Sequence, residues 1–223
     1  QIILANPPMK VELYTNKSTT IIENFPKIEY LDQPTSNIRR TKNSIIYHGH
    51  LAPERGIQDL VFAMKYASES ISSISLCLLG TFRTEEFEHK IKSLIVDLGL
   101  ENTITIFDQV PHSEIWPIIK EQSIGVIPFR RTPLTEENTP TKLFEMMICG
   151  LEIIVSKLPP AQYFLNDSVH WCEPEDIHSI SNSIINACKM KDNLINVQKN
   201  FQLIQQEYNW EHRQDDYLAL FSN

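Results

Sequence analysis

Six short apolar runs recur along the chain: Ser44–Gly49 (SIIYHG), Ile74–Gly80 (ISLCLLG), Thr103–Phe107 (TITIF), Ser123–Pro128 (SIGVIP), Glu152–Ser156 (EIIVS) and Ser168–Cys172 (SVHWC). Most are continuously apolar, the pattern of strands covered on both faces. Helical periodicity fills the intervals. Ile57, Leu60, Val61 and Met64 share one face, as do Phe87, Ile91, Leu94 and Leu98, with Gly99 as a stop. Strands and helices alternating at this spacing predict βαβ units: an α/β fold with a Rossmann-like parallel sheet and helices on both faces.

The chain becomes helical after the last strand. Ile177, Ile180, Ile184 and Cys188 form one stripe and Leu194, Val197, Phe201 and Ile204 another. Asn209 or Trp210 then opens a final amphipathic helix ending near Phe221. The first 40 or so residues differ, with Pro7-Pro8, a strand-like run Thr20–Glu23, Asn24-Phe25-Pro26 and a polar stretch Asp32–Asn43. They read as a linker entering the sheet domain near residue 42.

Composition narrows the functional classes. The chain has 223 residues and a net charge of −8, which offers no long-range attraction to nucleic acid or anionic lipid. Cys77, Cys149, Cys172 and Cys188 form no CxxC pair, and three of them sit in apolar runs. They read as structural thiols in a reducing compartment. No apolar run approaches the roughly 18 residues a bilayer span needs, and no signal peptide is visible.

In a parallel sheet, ligands collect at the carboxyl ends of the strands. The six glycines make neither GxGxxG nor GxxxxGK[ST], so a dinucleotide oxidoreductase and a P-loop nucleotidase both lose their main signature. Gly49 ends the first strand of the sheet and Gly56 opens the next helix, with His50 and Arg55 between them. A strand-end glycine admits close backbone approach, and an Arg before a helix start can grip phosphate oxygens. A simple turn with a solvated Arg fits these residues equally well.

The most informative stretch is Glu136–Gly150, EENTPTKLFEMMICG. Thr139 suits an N-cap, Pro140 the first helical position and Gly150 the stop, which predicts a helix over Pro140–Cys149. Its free N–H groups around Thr139–Lys142 would form an anion site. Glu145 lies among apolar neighbours, and a buried carboxylate needs partners. Those are either an internal ion pair, with Lys142 or Arg55, or the hydroxyls of a ribose diol. Glu137, eight residues earlier in the loop, could reach a sugar hydroxyl or could be a surface residue like Glu136.

Glu137 and Glu145 have the spacing of the E-x7-E motif of glycosyltransferase family 4, retaining enzymes of GT-B fold, and PTKLFEMMICG resembles that family's PTKLFEYMAxG version. Further segments resemble the family in its order: YHGHLAPERGIQDLVFAM, LGLENTITIFDQVPHSEIWPII, SIGVIPF and the Trp-containing YNWEHRQDDYLALF. Together they cover about residues 42–223. The resemblance implies that Gly49 admits the donor diphosphate and that Arg55 is its cation. It places the base against the backbone near Val110, and Asn138, Thr139 and Thr141 around sugar and phosphate. It gives Glu137 the transferred sugar, as the catalytic candidate, and Glu145 the ribose. His50 stands where the family usually has Arg, Phe82 replaces a frequent second glycine and Glu152 a frequent Pro.

The same resemblance implies the C-terminal, donor-binding half of a GT-B enzyme. Residues 1–25 would be a remnant of the N-terminal acceptor domain and 26–42 the hinge. Residues 43–205 would be the nucleotide-sugar domain, and 206–223 a helix crossing back to the N-terminal domain. The implied donor is a UDP-, GDP- or ADP-sugar, with no cofactor and no metal, in cytoplasmic polysaccharide or glycoconjugate synthesis. The implied partners are the missing acceptor domain and, for the full-length enzyme, a peripheral membrane surface. Trp210, Tyr217, Leu218 and Phe221, short of cover, would invite self-association. This fragment alone would bind donor without completing transfer. The rival readings are a non-catalytic sugar-nucleotide-binding subunit and a GT-B sugar-nucleotide epimerase.

Overall fold

The computed structural model describes residues 2–5, 19–30, 40–165, 167–190 and 194–221. The Pro7-Pro8 pair and most of the polar stretch after Asp32 lie outside the described residues.

All six apolar runs form strands: β3 (Ser44–His48), β4 (Ser75–Leu79), β5 (Ile104–Phe107), β6 (Ile124–Ile127), β7 (Glu152–Ser156) and β8 (His170–Cys172). They build one parallel sheet in the order β5-β4-β3-β6-β7-β8. β3, β6 and the apolar residues of β4 and β7 are buried, as continuous apolar runs require of an interior strand. The chain winds outward from β3 in one direction and then returns beside it with β6, so the switch point lies between β3 and β6.

Helices surround this Rossmann-like sheet. α1 (Ile57–Ser70) buries Ile57, Leu60, Val61 and Met64 as the periodicity predicts, and contacts α2 (Glu85–Asp97) and α6 (Ile177–Lys189). Gly99 ends α2 at φ 66°, with its N–H on Val96 O and the Leu100 N–H on Ile95 O, the paired bonds of a Schellman stop. α4 (Thr141–Ile148) packs against α7 (Leu194–Gln206). Two short helices escape the periodicity. α3 (Ile115–Lys120) and α5 (Pro159–Phe164) have six residues each, too few to display a repeat, and both contain proline.

Near the N-terminus, β1 (Ile2–Leu4) pairs in parallel with β2 (Thr19–Ile21), the strand-like run shifted by a residue or two. The segment that follows is fixed to the sheet domain. Phe25 is buried against Phe144, Phe164 and Tyr208, with ring centroids at 4.8, 5.9 and 5.4 Å. The terminal helix α8 (Trp210–Ala219), capped by Asn209 on the His212 N–H, closes over it. Trp210 N–H donates to Pro26 O, Ile28 N–H to the Glu211 carboxylate, and Arg213 Nε to Glu23 Oε2 at 2.7 Å. Outside these contacts Tyr217, Leu218 and Phe221 are exposed, and Trp210 is half-buried.

The four cysteines are free thiols, three of them buried. Burial pushes Cys77 up to about 11 and Cys172 to about 12, which leaves them protonated and unreactive. Among the described residues no helix is long and apolar enough to cross a membrane.

Candidate functional site

A cavity of about 520 Å³ opens at the switch point, above the carboxyl ends of β3 and β6. Its size suits a small ligand. Gly49, His50 and Arg55 line one wall, Gln109, Val110 and His112 a second, and Asn138 to Lys142 with Glu145 a third.

Arg55 is placed by a rigid turn. The 3-10 turn Pro53–Arg55 ends on Gly56, whose φ of 70° sends the chain straight into α1. A Cβ at Gly56 would lie 1.8 Å from Pro128 O, so only glycine fits between this turn and the loop after β6. That loop is tied down in return. Arg130 N–H donates to Glu54 O, and the Arg130 guanidinium grips buried Asp59 of α1 with two bonds of 2.6 Å. Glu54 is taken by Arg83 at 2.5 Å. The Arg55 guanidinium sits 4.5 Å over the Phe129 ring at the cavity wall.

The third wall is α4. The sequence puts its cap at Thr139 and its start at Pro140; the helix begins one residue later, because Pro140 is extended (ψ 104°) and takes the cap position itself. At the other end Gly150 (φ 69°) closes the helix with its N–H on Met147 O and the Leu151 N–H on Met146 O. Arg40 caps the same end, donating to Cys149 O at 2.6 Å. Leu143, Phe144, Met146, Met147 and Ile148 are buried, so the helix is anchored on its apolar faces and its N-terminus opens on the cavity.

Glu145 does find protein partners, but neither Lys142 nor Arg55 is among them. His112 Nε2 donates to Oε1 at 2.8 Å, and His48 Nε2 lies 3.5 Å from Oε2. The His48 contact is not an ion pair: desolvation, with Lys142 and His112 adding to it, lowers the imidazole to about 3. Lys142 turns away from Glu145. Its ammonium bonds Tyr47 Oη at 2.8 Å and the His48 carbonyl, and lies 3.9 Å over the Tyr47 ring. Burial, then the nearby Arg55, lowers it to about 7, against a smaller opposing pull from Glu145.

Of the residues singled out from sequence, Gly49, His50, Arg55, Val110, Asn138, Thr139, Thr141 and Glu145 all line this cavity. Glu137 does not; it is half-buried in the loop one residue before the lining begins. His48, His112, Phe129 and the Lys142 ammonium are cavity residues that the sequence reading leaves out. His112 stands two residues after Val110 and His48 one before Gly49, so their places beside two singled-out residues were the available signal. Among the described residues no cluster of His, Cys, Asp and Glu could hold a metal ion.

The model of the family described as "Glycosyl transferases group 1" matches residues 31–208. The chain belongs to that family. No curated protein matches the sequence at a significant level. Solved structures share the fold of this group 1 chain at low identity. Anabaena Alr3699/HepE, in complex with UDP and glucose, superposes with a TM-score of 0.82 at 15% identity, over 99% of this chain and 62% of that one. A S. aureus TarM variant in complex with fondaparinux, alpha-GlcNAc-glycerol and UDP gives 0.79 at 16% identity, over 96% of this chain and 41% of that one. The C-terminal domain of the group 1 protein LpcC from Francisella tularensis gives 0.69 at 15% identity, over 82% of this chain and 98% of that one.

Neutral His48 makes the stability of this group 1 domain sensitive to acid. The imidazole is lowered in the folded state, so the unfolded chain binds its proton first. This contribution to stability is complete above about pH 6.5 and is lost as pH falls toward the folded value of about 3. Denaturant melts at pH 7 and pH 5 should show a smaller acid loss in His48→Gln than in the wild type. Equal losses would mean that His48 is not held neutral.

Proposed function

We propose that this chain is the C-terminal, donor-binding half of a retaining, family 4 glycosyltransferase that uses a nucleoside diphosphate sugar. The observation that carries the reading is the meeting of Arg55, the N-terminus of α4 and the Glu145 carboxylate around one cavity at the switch point. A cation and a helix N-terminus suit phosphate oxygens, and a carboxylate beside them suits the paired hydroxyls of a ribose. Support comes from the near-complete superposition of a C-terminal domain, and from neighbours solved with UDP and with UDP-glucose.

In this mechanism the chain's part is to hold the leaving group. Charge develops on the departing diphosphate, and Arg55 with the α4 N-terminus stabilises it through groups fixed before the reaction begins. Val110 contributes backbone to the base, and Asn138, Thr139 and Thr141 surround sugar and phosphate. Glu137 would act on the transferred sugar from the loop before the cavity lining, which gives it the catalytic role in the block of residues 43–205. The chain spans 41% of TarM and 62% of HepE, and the acceptor site would lie in an N-terminal domain outside the donor half. Residues 1–25 would belong to that domain, 26–42 to the hinge, and 206–223 to the helix that returns to it, in a cytoplasmic enzyme of polysaccharide or glycoconjugate synthesis. Alone, the chain should bind donor and transfer little sugar.

Calorimetric titration with UDP, GDP, ADP and CDP tests the reading. Saturable one-to-one binding of at least one is the expected result, and no binding of any would overturn it.

A further inference from the structure

The cavity holds a second cation that the reading above does not use. Lys142 stands in the first turn of α4 with its ammonium folded back under Gly49, at the end of β3. Both hydrogen-bond partners are neutral, Tyr47 Oη and the His48 carbonyl, and among the described residues no carboxylate lies within ion-pair distance. A desolvated cation with neutral partners is a costly arrangement, and it becomes favourable when an anion arrives beside it. The route for that anion is open because of Gly49. A Cβ there would stand 2.8 Å from Lys142 Nζ, and the φ of 103° is itself a conformation that side chains rarely adopt. Glycine at this point leaves the ammonium facing the cavity that Arg55 faces from the other wall.

We propose that Lys142 is a diphosphate-binding residue, reached through the gap that Gly49 leaves, and that it works with Arg55 as the second cation of the site. The proposal rests on the donor-site reading and adds the residue that completes its charge. It also explains why Lys142 ignores Glu145 one turn away: an ion pair with that carboxylate would spend the charge before the ligand came. The titratable groups that face Lys142 are Arg55 before α1, Tyr47 and His48 on β3, and Glu145 on its own helix. Burial and then Arg55 hold the lysine near 7, and a bound diphosphate would reverse the balance. Ligand binding should therefore draw a proton from solvent above pH 7.

The experiment is calorimetry at pH 8 with UDP and with uridine, in buffers of different ionisation enthalpy. The wild type should take up close to one proton per UDP and none with uridine. Lys142→Met should bind UDP about tenfold to a hundredfold more weakly, the loss of one charge-assisted bond, with uridine affinity unchanged. Lys142→Arg, permanently charged, should keep most of the affinity and lose the proton uptake, and it guards against a Met variant that fails to fold. UDP binding and proton uptake that survive both substitutions would overturn the proposal, since the histidines would then be the source. If only another nucleoside diphosphate binds, it and its nucleoside replace UDP and uridine. Failure of the wild type to bind any of them overturns the donor reading instead.

Discussion

Glu145→Gln should weaken nucleoside diphosphate binding by about 1.5–3 kcal/mol, roughly tenfold to a hundredfold, with little change in melting temperature. The protein partners of Glu145 are His112 and His48. His112 is solvent-exposed, with 64% of its side chain accessible, and such pairs contribute little to stability. His48 is neutral and adds no charge to the pair. The substitution therefore removes little that holds the fold. What it removes from the site is larger, because a carboxylate accepts both hydrogens of a ribose diol and an amide presents one acceptor. Comparison with the 2′-deoxy nucleotide sharpens the test: the variant and the wild type should differ less for it than for the ribonucleotide. A melting temperature that falls while affinity stays put would return Glu145 to a structural role.

Phe144→Ala should cost about 3–5 kcal/mol of stability, read as a shift in the urea midpoint. Phe144 is 1% exposed and lies at the centre of an aromatic cluster. It meets Phe25, Phe164 and Tyr208 edge to face at 4.8, 5.2 and 5.7 Å. Those three rings belong to the N-terminal segment, α5 and the turn before α8, so one truncation loosens four parts of the chain. The helix that loses its anchor is also the one that carries Lys142 and Glu145, and nucleotide affinity should fall with stability. Phe25→Ala removes the same contacts from the other side, and the two effects should not add, because the residues touch. A loss below about 1 kcal/mol for Phe144→Ala would mean that the cluster collapses around the gap.

What was legible in the sequence follows from what is local. The sheet could be read because its strands are apolar along their whole length, and α1, α2 and α6 because thirteen or fourteen residues show a repeat plainly. α3 and α5 lack that length. The start of α4 was misplaced by one residue because Thr139 and Pro140 each suit the neighbouring position, and only the ψ of Pro140 decides. That Glu145 needs a partner could be inferred from its apolar neighbours. Which partner could not, because His112 is 33 residues away in sequence, in the turn before α3. Lys142, three residues from Glu145, is one of the two cations the sequence offers, with Arg55. The hydrogen bonds waiting on β3, and the room at Gly49, turn it the other way. From sequence Phe25 falls at the end of the N-terminal remnant, beside the hinge, because its three aromatic neighbours are scattered over the chain.

The central claim is that a nucleoside diphosphate occupies the cavity between β3 and β6. Backbone amide spectra of the ¹⁵N-labelled chain, recorded as UDP is added, test it most directly, with GDP, ADP or CDP in its place where calorimetry selects one of them. Saturating shifts are expected at Gly49, Arg55, Val110, Thr141, Lys142 and Glu145, with the amides of α6 and α7 unmoved. Saturating shifts confined to another face of the domain would contradict it.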